Sequence, residues 1–408
     1  MAAPRAVPKV ARLFGLRRPA QASTGNRIRL LESGREFFPA LLAAIRAAQR
    51  SIHLETYIFA DEGAGREVLA ALSEAVGRGV QVRVLVDGFG SGAVARVLAA
   101  ALPAPGGQVR VYRPARWWGP HRRAFRRLHR KIAVIDGREA FVGGINIDGE
   151  PARDEVTGEL IGARLDFAVA CEGPVAAAVS LAARRLWWAV GLAALGKLGA
   201  PAPRRPRAGA PLPGGVRASL VLRDNLRHRG DIERSYLGAI RAARRQILIA
   251  CAYFQPGRRF RRALVRAARR GVRVRLLLQG RVEYRVQHRA QRAWYGQLLR
   301  EGIEIYEYRR SYLHAKVAVI DDDWATVGSS NIDPFSLLLA REANVVVHDR
   351  DFASRLRGAL ERAIEQDSRR LDATWEASRP LLSRVVDWMA YGFVRAATLV
   401  LARSDGGY

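Results

Sequence analysis

Two stretches of the chain place a histidine and a lysine two residues apart inside an otherwise apolar run. LHRKIAVIDGREAFVGGIN spans Leu128 to Asn146, and LHAKVAVIDDDWATVGSSN spans Leu313 to Asn331. An imidazole can attack phosphorus or carry a proton, and an ammonium group can neutralise the nonbridging oxygens of a phosphate. These residue types at this spacing indicate chemistry at a phosphate ester.

The two stretches are copies of one another. They align without a gap at an offset of 185 residues. The matched positions are His129 and His314, Lys131 and Lys316, Asp136 and Asp321, Gly143 and Gly328, and Asn146 and Asn331. Two earlier segments repeat as well, since 45–59 resembles 240–254 and 77–88 resembles 269–280. Repetition in the same order over most of each half indicates a duplicated domain.

Lysine usage marks the same two places. Of the 68 basic residues only four are lysine, and two of these are Lys131 and Lys316. Where arginine is the default cation, a retained lysine indicates that a compact point charge is required and that a guanidinium fork does not fit.

The elements that must position these groups are strands and tight turns. On one strand, His129 and Lys131 would point to the same face. Asp136–Gly137 predicts a hairpin turn, after which the returning strand brings Asn146 back to the same end. The second copy repeats this with a turn at 321–323. If the halves pack about a pseudo-twofold axis, the two spots face each other around one anion-sized pocket.

The rest of each half alternates helices and strands, which indicates an α/β fold. In the first half, helical spacing covers 37–49 and 66–76, and strand-like runs cover 51–59 and 80–86. We therefore expect two pseudo-symmetric α/β sandwich halves with the active site at their interface. The predicted divisions are a basic, disordered arm over 1–27, a first half over 28–199, a Pro/Gly/Arg linker over 200–217, a second half over 218–365, and a C-terminal helical segment over 366–408 that is a candidate for membrane association.

Composition limits the partners and the compartment. The formal charge of +30 implies attraction to a polyanion, either nucleic acid or an anionic membrane, although an Ala- and Arg-rich codon bias explains part of it. Cys171 and Cys251 form neither a disulfide framework nor a metal cluster, which favours a reduced, intracellular location. No uncharged apolar run reaches the length of a spanning helix. The nearest runs, 186–196 and 385–401, fit either an interfacial helix or a helix packed on the core.

The motif HxKx4D followed by G-G/S-x-N, present twice, resembles the signature of the phospholipase D superfamily. The resemblance covers roughly residues 28 to 364. Within it, the returns GGIN and GSSNIDPFSL and the following LAREANVVV are similar to bacterial cardiolipin synthases. The resemblance implies a catalytic set and a phosphate-binding set, which are His129, Lys131, Asp136, His314, Lys316 and Asp321 for the former and Asn146, Asn331 and Ser329 for the latter.

Further roles follow from the same resemblance. A carboxylate orients each histidine through its second ring nitrogen, and Glu342 and Asp166 occupy suitable positions after the two motifs. We expect Asp136 and Asp321 to anchor the hairpin turns rather than to contact substrate. Ser329 has Gly144 as its counterpart, so the pocket should be asymmetric.

The leading expectation is a phosphatidyltransferase that moves a phosphatidyl group from one phosphatidylglycerol, through a histidine, to the primary hydroxyl of a second. By similarity the nucleophile is more often the N-terminal histidine, His129, but the residues alone do not rank the pair. Because the lysines supply positive charge, no metal is implied, and neither is an organic cofactor. The implied partners are phosphatidylglycerol and an anionic phospholipid membrane, with the protein peripheral on the cytoplasmic side of the inner membrane.

Three alternatives stay open at this point. Water could be the acceptor, which would make the protein a hydrolytic phospholipase D. Phosphatidylethanolamine could be the donor and glycerol the acceptor, which would yield phosphatidylglycerol. A nucleic-acid phosphodiesterase would suit the positive charge, but short nuclease members of the superfamily tend to carry one motif per chain and dimerise, and we expect no nucleic-acid partner.

Overall fold

The computed structural model describes residues 22–114, 126–148, 152–154, 157–195, 210–225 and 227–403. Within these residues the chain forms two halves that repeat one order of elements. The first half contains the strands β1 (Ser23–Glu32), β2 (Ser51–Thr56), β3 (Gln81–Asp87), β4 (Gly107–Tyr112), β5 (Lys131–Ile135), β6 (Glu139–Gly143), β7 (Ala152–Arg153), β8 (Leu160–Gly162) and β9 (Phe167–Glu172). Its helices are α1 (Ser33–Ala47), α2 (Ala64–Gly77), α3 (Ala95–Ala101) and α4 (Pro174–Leu195).

The second half repeats this order with its own strands and helices. Its strands are β10 (Val216–Arg223), β11 (Gln246–Cys251), β12 (Arg273–Gln279), β13 (Glu304–Tyr308), β14 (Lys316–Ile320), β15 (Trp324–Gly328), β16 (Glu342–His348) and β17 (Ser368–Leu371). Its helices are α5 (Asp231–Ala242), α6 (Arg258–Arg269), α7 (Arg285–Arg292), α8 (Tyr295–Arg300), α9 (Pro334–Leu338), α10 (Arg350–Asp367), α11 (Ala373–Ala377) and α12 (Leu381–Arg403).

The strand order shows the pseudo-symmetry of the duplication. The main sheet runs β17-β13-β12-β11-β14-β15-β16-β10-β1-β9-β6-β5-β2-β3-β4, and apart from β17 it is symmetric about the β10–β1 junction. In each half three neighbouring strands are parallel (β2, β3, β4 and β11, β12, β13), while the strands that carry the motifs are antiparallel. The predicted strands and hairpins therefore form.

The halves are packed as sandwiches around three large cores, and a small fourth cluster includes Leu128 and Trp187. One core joins the inward faces of both sheets to α4 and α10, with Val142 and Val169 from the first half and Val327 and Val345 from the second. Two outer cores lie beneath α1 and α2 and beneath α5 and α6. The central core contains buried residues of both halves, so the halves share one hydrophobic core, and the prediction of two α/β sandwich halves is confirmed.

Three predicted boundaries are wrong by a few residues. Strand β1 begins at Ser23, so 23–27 are not part of an arm, because the buried Asn26 side chain donates to Val216 O at 3.1 Å and ties the strand to β10. Strand β10 begins at Val216, inside the predicted linker. The C-terminal segment starts with β17, which pairs with β13, before it becomes helical. Residues 1–21 and 196–209 lie outside the described residues.

Two apolar helices differ in how they are covered. Helix α4 is, by length and composition, apolar enough over Pro174–Leu192 to cross a membrane, which the charge pattern of the sequence did not predict. Half of that window is buried inside the protein, and α4 packs on β1, β5, β9 and β10, as a core helix does. Leu186 and Trp187 are buried there. Helix α12, in contrast, packs on α7 and α9 and leaves many apolar side chains exposed.

Candidate active site

Each histidine stands just before its motif strand and is held there by the other half. His129 precedes β5, and its backbone N–H donates to Arg341 O at 3.0 Å. His314 precedes β14, and its N–H donates to Leu165 O at 2.9 Å. The strands begin at the lysines, so the prediction that the histidines lie on these strands is wrong. These two backbone hydrogen bonds between the halves hold both motifs together at the interface.

The carboxylates are exchanged between the halves. Glu342 of the second half accepts from His129 Nδ1 of the first, at 3.0 and 3.1 Å. Asp166 of the first half accepts from His314 Nδ1 of the second, at 2.6 Å. When its carboxylate partner is ionised and can only accept, Nδ1 carries the hydrogen, and in both pairs Nε2 is the ring nitrogen left without a carboxylate partner. The expected orienting role of both acids fits this geometry, but neither half is complete alone.

Strand register shows that the two acids are equivalent. Gly143 pairs with Ala168 across β6 and β9, and Gly328 pairs with Asn344 across β15 and β16. Each acid lies two residues before the partner of its glycine. The different spacings from the asparagines, twenty and eleven residues, therefore arise from an insertion and not from different roles.

The side chain of each motif lysine donates to the backbone oxygen of the histidine two residues before it. Lys131 Nζ donates to His129 O at 2.8 Å, and Lys316 Nζ donates to His314 O. The two side chains are almost fully buried. Burial lowers the pKa of Lys131 to about 7, with Glu342 acting in the opposite direction, and burial lowers the pKa of Lys316 as well. A phosphate in the site would restore these charges, because an adjacent anion raises the pKa of an ammonium group.

Burial shifts the pKa values of both histidines and of Asp166. Burial lowers the pKa of His129, and the charge of Glu342 opposes this shift. Burial, together with Lys316 and Lys131, places the pKa of His314 well below its ordinary value. Burial also raises the pKa of Asp166 to about 7. Because groups this close titrate as a unit, the Asp166–His314 pair retains a proton up to about neutral pH.

The asparagines are fixed by contacts to their oxygen ends. Ile58 N–H donates to Asn146 Oδ1 at 3.3 Å, and the Cys251 thiol lies 3.9 Å from Asn331 Oδ1. Both side chains are nearly buried. The carboxamide NH2 is therefore the end available to a phosphate oxygen, which agrees with the expected phosphate-binding role.

Ser329 does not fit the phosphate-binding role predicted for it. It is fully buried, its hydroxyl donates to Glu342 Oε2 at 2.6 Å, and Ala343 N–H donates to Ser329 Oγ at 3.1 Å. The hydroxyl is thus committed to the carboxylate that orients His129. Its counterpart Gly144 has no space for a side chain, because a Cβ there would lie 2.4 Å from Asp166 Oδ1. The lack of a side chain at Gly144 therefore leaves room for the Asp166 carboxylate.

Asp136 and Asp321 are turn anchors and make no catalytic contact. Both adopt positive φ, at 53° and 49°. Asp136 accepts backbone N–H bonds from Gln49, Arg50 and Ser51 at 2.8–2.9 Å, and Asp321 accepts the three equivalent bonds from 244–246. Burial acts to raise their pKa values, but these bonds outweigh it and lower the pKa of each carboxyl. The motif aspartate therefore holds the hairpin in register.

Tyr57 is a site residue that periodicity did not separate from the core. Its ring meets the His129 ring edge-on at 5.1 Å, and Lys131 Nζ lies 5.4 Å from its centroid. Glu55, two residues earlier, forms a buried ion pair with Arg130.

Comparisons with known proteins agree with this architecture. A family model described as "Cardiolipin synthase, PLD-like domain" matches residues 41–156 and 236–364. Cardiolipin synthase B of Escherichia coli K12 is 41% identical over 383 residues, covering 91% of this chain and 88% of that protein. A probable cardiolipin synthase of Bacillus subtilis is 30% identical over 85% of this chain and 68% of its own length. The crystal structure of phosphatidylserine synthase from Haemophilus influenzae superposes with a TM-score of 0.69 at 16% identity, over 97% and 99% of the two chains.

Proposed function

Because the chain belongs to the cardiolipin synthase family of proteins with phospholipase D-like domains, we propose that it joins two phosphatidylglycerol molecules into cardiolipin and releases glycerol. The crossed pairing of His129 with Glu342 and of His314 with Asp166 carries this proposal. It presents two imidazole Nε2 atoms to one site, and transfer in two steps needs one group to bind the phosphatidyl moiety and another to carry the proton.

In the first step, His129 Nε2 attacks phosphorus and the bond from phosphorus to the glycerol oxygen breaks. Because the Asp166–His314 pair retains a proton near neutral pH, His314 protonates the departing oxygen. Glu342 stabilises the positive charge that His129 gains when it becomes a phosphohistidine. The Ser329 hydroxyl keeps that carboxylate in place.

In the second step, the primary hydroxyl of another phosphatidylglycerol attacks the phosphohistidine. His314 takes the hydroxyl proton, the bond from phosphorus to His129 Nε2 breaks, and cardiolipin leaves. In both steps Lys131, Lys316 and the two asparagine NH2 groups stabilise the extra negative charge on the nonbridging oxygens. Such preorganised donors in a buried site are the largest contribution to the rate in comparable chemistry.

The membrane is the source of both substrates, so the enzyme must work at its surface. We place it peripherally on the cytoplasmic side of the inner membrane. The formal charge of +30 supports attraction to anionic phospholipids, and both buried cysteines are free thiols, as is usual in a reducing compartment.

The test is product analysis with purified full-length protein. Phosphatidylglycerol labelled in its glycerol headgroup should yield cardiolipin and free labelled glycerol in equal amounts. A variant with both His129→Ala and His314→Ala is the matched inactive control. Phosphatidic acid as the main product would identify a hydrolase, and phosphatidylglycerol from phosphatidylethanolamine plus glycerol would identify the other transferase. Cleavage of plasmid DNA without lipid turnover would also overturn the proposal.

A further inference from the structure

Helix α12 turns a polar face toward the protein and an apolar face outward, the reverse of an ordinary surface helix. It buries three polar side chains, since Asp387, Tyr391 and Thr398 are 1%, 8% and 6% exposed. Its large apolar side chains that are exposed form a stripe at helical spacing, namely Leu381, Leu382, Val385, Val386, Trp388, Met389, Phe393 and Val400. A helix on the surface of a soluble domain would bury that stripe, so its exposure indicates an apolar environment beyond the protein.

The buried polar face fixes α12 in this orientation. Arg289 donates to Asp387 Oδ1 at 3.3 Å, and Arg379 also pairs with this carboxylate. The Trp388 ring packs edge-on against the ring of Trp294, which lies between α7 and α8, with the ring centroids 4.7 Å apart. Rolling the helix to hide its apolar stripe would leave Asp387 without its partners, and a buried ion pair is costly to break on one side.

The surroundings of the stripe are positively charged. Helices α6 and α7 contain nine arginines and no acidic residue, and Asp387 is the sole acidic residue of α12. Arg258, Arg262, Arg285 and Arg395 are exposed on α6, α7 and α12, and Arg261 of α6 donates to Tyr391 OH of α12 at 3.5 Å. An apolar strip bordered by arginines is complementary to an anionic lipid surface, because acyl chains accept the strip and headgroup phosphates accept the guanidinium groups.

Helix α12 also contacts a helix that follows the second motif. Helix α12 packs on α7 and α9. Tyr284, directly before α7, is 57% exposed and its ring lies 6.0 Å from Tyr253, while Leu338 at the end of α9 is 42% exposed. Helix α9 begins three residues after Asn331. Exposed apolar side chains therefore also occur directly before α7 and at the end of α9, the two helices on which α12 packs.

We propose that the outward face of α12, with the arginines of α6 and α7, docks on an anionic phospholipid bilayer, and that α12 lies in the interface with its apolar stripe among the acyl chains. The inference deepens the proposed function, because it names the surface by which the site reaches its lipid. A second copy of the chain is a poorer occupant, since a twofold contact would set arginines against arginines.

Vesicle binding tests the surface. Met389→Ser/Phe393→Ser removes two side chains that are each 68% exposed, and Val97→Ser/Leu160→Ser removes two exposed apolar side chains of the first half as a matched control. On vesicles of phosphatidylglycerol and phosphatidylcholine, the first variant should bind at least about tenfold more weakly and the control should bind like the unaltered protein. Binding of the unaltered protein should weaken with salt and be lost on phosphatidylcholine alone.

A site-specific probe locates the contact. Because both native cysteines are buried, Met389→Cys can be labelled with an environment-sensitive dye, with Val97→Cys as the control. Dye at 389 should shift to the blue and be quenched by brominated lipids when anionic vesicles are added, and dye at 97 should not respond. Equal responses at both sites, or unchanged vesicle binding of Met389→Ser/Phe393→Ser, would overturn the proposal.

Activity separates this proposal from the proposed function. On a short-chain phosphatidylglycerol below its micelle concentration, Met389→Ser/Phe393→Ser should turn over within about twofold of the unaltered protein, while on vesicles it should be at least tenfold slower. If the unaltered protein makes no cardiolipin from either substrate but still binds vesicles through 389 and 393, only the proposed function fails. Self-association that depends on these two side chains, with vesicle binding unaffected, would assign the face to a second copy.

Discussion

The two histidines occupy matched positions in duplicated halves, yet their surroundings differ. His129 has Glu342, the Ser329 hydroxyl on that carboxylate, and the Tyr57 ring. His314 has the shorter Asp166, with Gly144 in place of the serine, and Ala252 is the counterpart of Tyr57 by alignment. Duplication therefore supplies the common geometry, and a few substitutions give the two histidines different neighbours. Glu342 accepts from His129 and from Ser329, whereas Asp166 accepts from His314 and from Phe167 N–H, and burial raises the pKa of Asp166 to about 7.

The largest effect is expected at the crossed acids. Glu342→Gln should lower kcat by roughly 10³–10⁴-fold, because glutamine cannot stabilise the charged imidazole and can hold the wrong tautomer. Asp166→Asn should lower kcat by a comparable factor with phosphatidylglycerol. With a phosphatidyl ester of an activated phenol, Asp166→Asn should recover part of its rate and Glu342→Gln should not, since that leaving group needs no proton. Steady-state kinetics with both donors measures this. Rescue of Glu342→Gln, and not of Asp166→Asn, would reverse the comparison.

The next effect concerns the two lysines, which the halves share without difference. Lys131→Arg and Lys316→Arg should each lose roughly 100-fold in kcat, about 3 kcal/mol, because a guanidinium fork cannot occupy the buried position of the ammonium group. Circular dichroism should show both variants folded. Near-normal turnover would remove the argument from lysine usage.

Ser329→Ala tests the asymmetry directly, with a smaller loss. Glu342 would lose a hydrogen bond at 2.6 Å, and bonds to charged groups contribute about 1.5–3 kcal/mol, so kcat should fall by roughly tenfold or more. The effect should appear in the rate of phosphoenzyme formation, measured in a single turnover. An unchanged rate in a folded Ser329→Ala protein would show that the serine does not act through Glu342.

The smallest effect on activity is expected at the turn aspartates, whose environments are alike. Asp136→Ala and Asp321→Ala should each lower the free energy of unfolding by on the order of 2–3 kcal/mol, and kcat should stay within about twofold. Because the pKa of each carboxyl is lowered in the fold, its contribution is complete above about pH 4 and is lost as the pH falls further. Urea unfolding at neutral and acid pH should show the variants converging with the unaltered protein in acid. A loss of kcat without a loss of stability would return these residues to the catalytic set.

Local patterns were enough to predict the duplication, the motif hairpins, and the histidines, lysines and asparagines that meet at the site. Turn chemistry at Asp136–Gly137 and matched spacing carry that information. The crossed pairing could not be predicted, because spacing within a half does not specify which segment of the other half it contacts. Ser329 was assigned wrongly for a similar reason, since its partner Glu342 lies on the neighbouring strand and a hydroxyl suits a carboxylate as well as a phosphate.

Helix α12 illustrates a different limit. The sequence did not decide whether 385–401 forms an interfacial helix or a helix packed on the core, because Asp387 and Arg395 interrupt the apolar run in either case. Only the position of Asp387, buried against Arg289 and Arg379, shows which face is turned inward. Periodicity reports that a helix has two faces, whereas burial depends on what the neighbouring helices offer.

The central claim is that the phosphatidyl group is carried on His129 while His314 handles the proton. Labelled donor can be mixed with enzyme, quenched, and searched for a covalent phosphatidyl-enzyme that is labile in acid and stable in base. We predict that the unaltered protein forms it, that His314→Ala forms it from a phosphatidyl ester of an activated phenol, and that His129→Ala forms it from no donor. The reverse pattern would contradict the assigned roles, and turnover that persists in both variants without any adduct would contradict a phosphohistidine altogether.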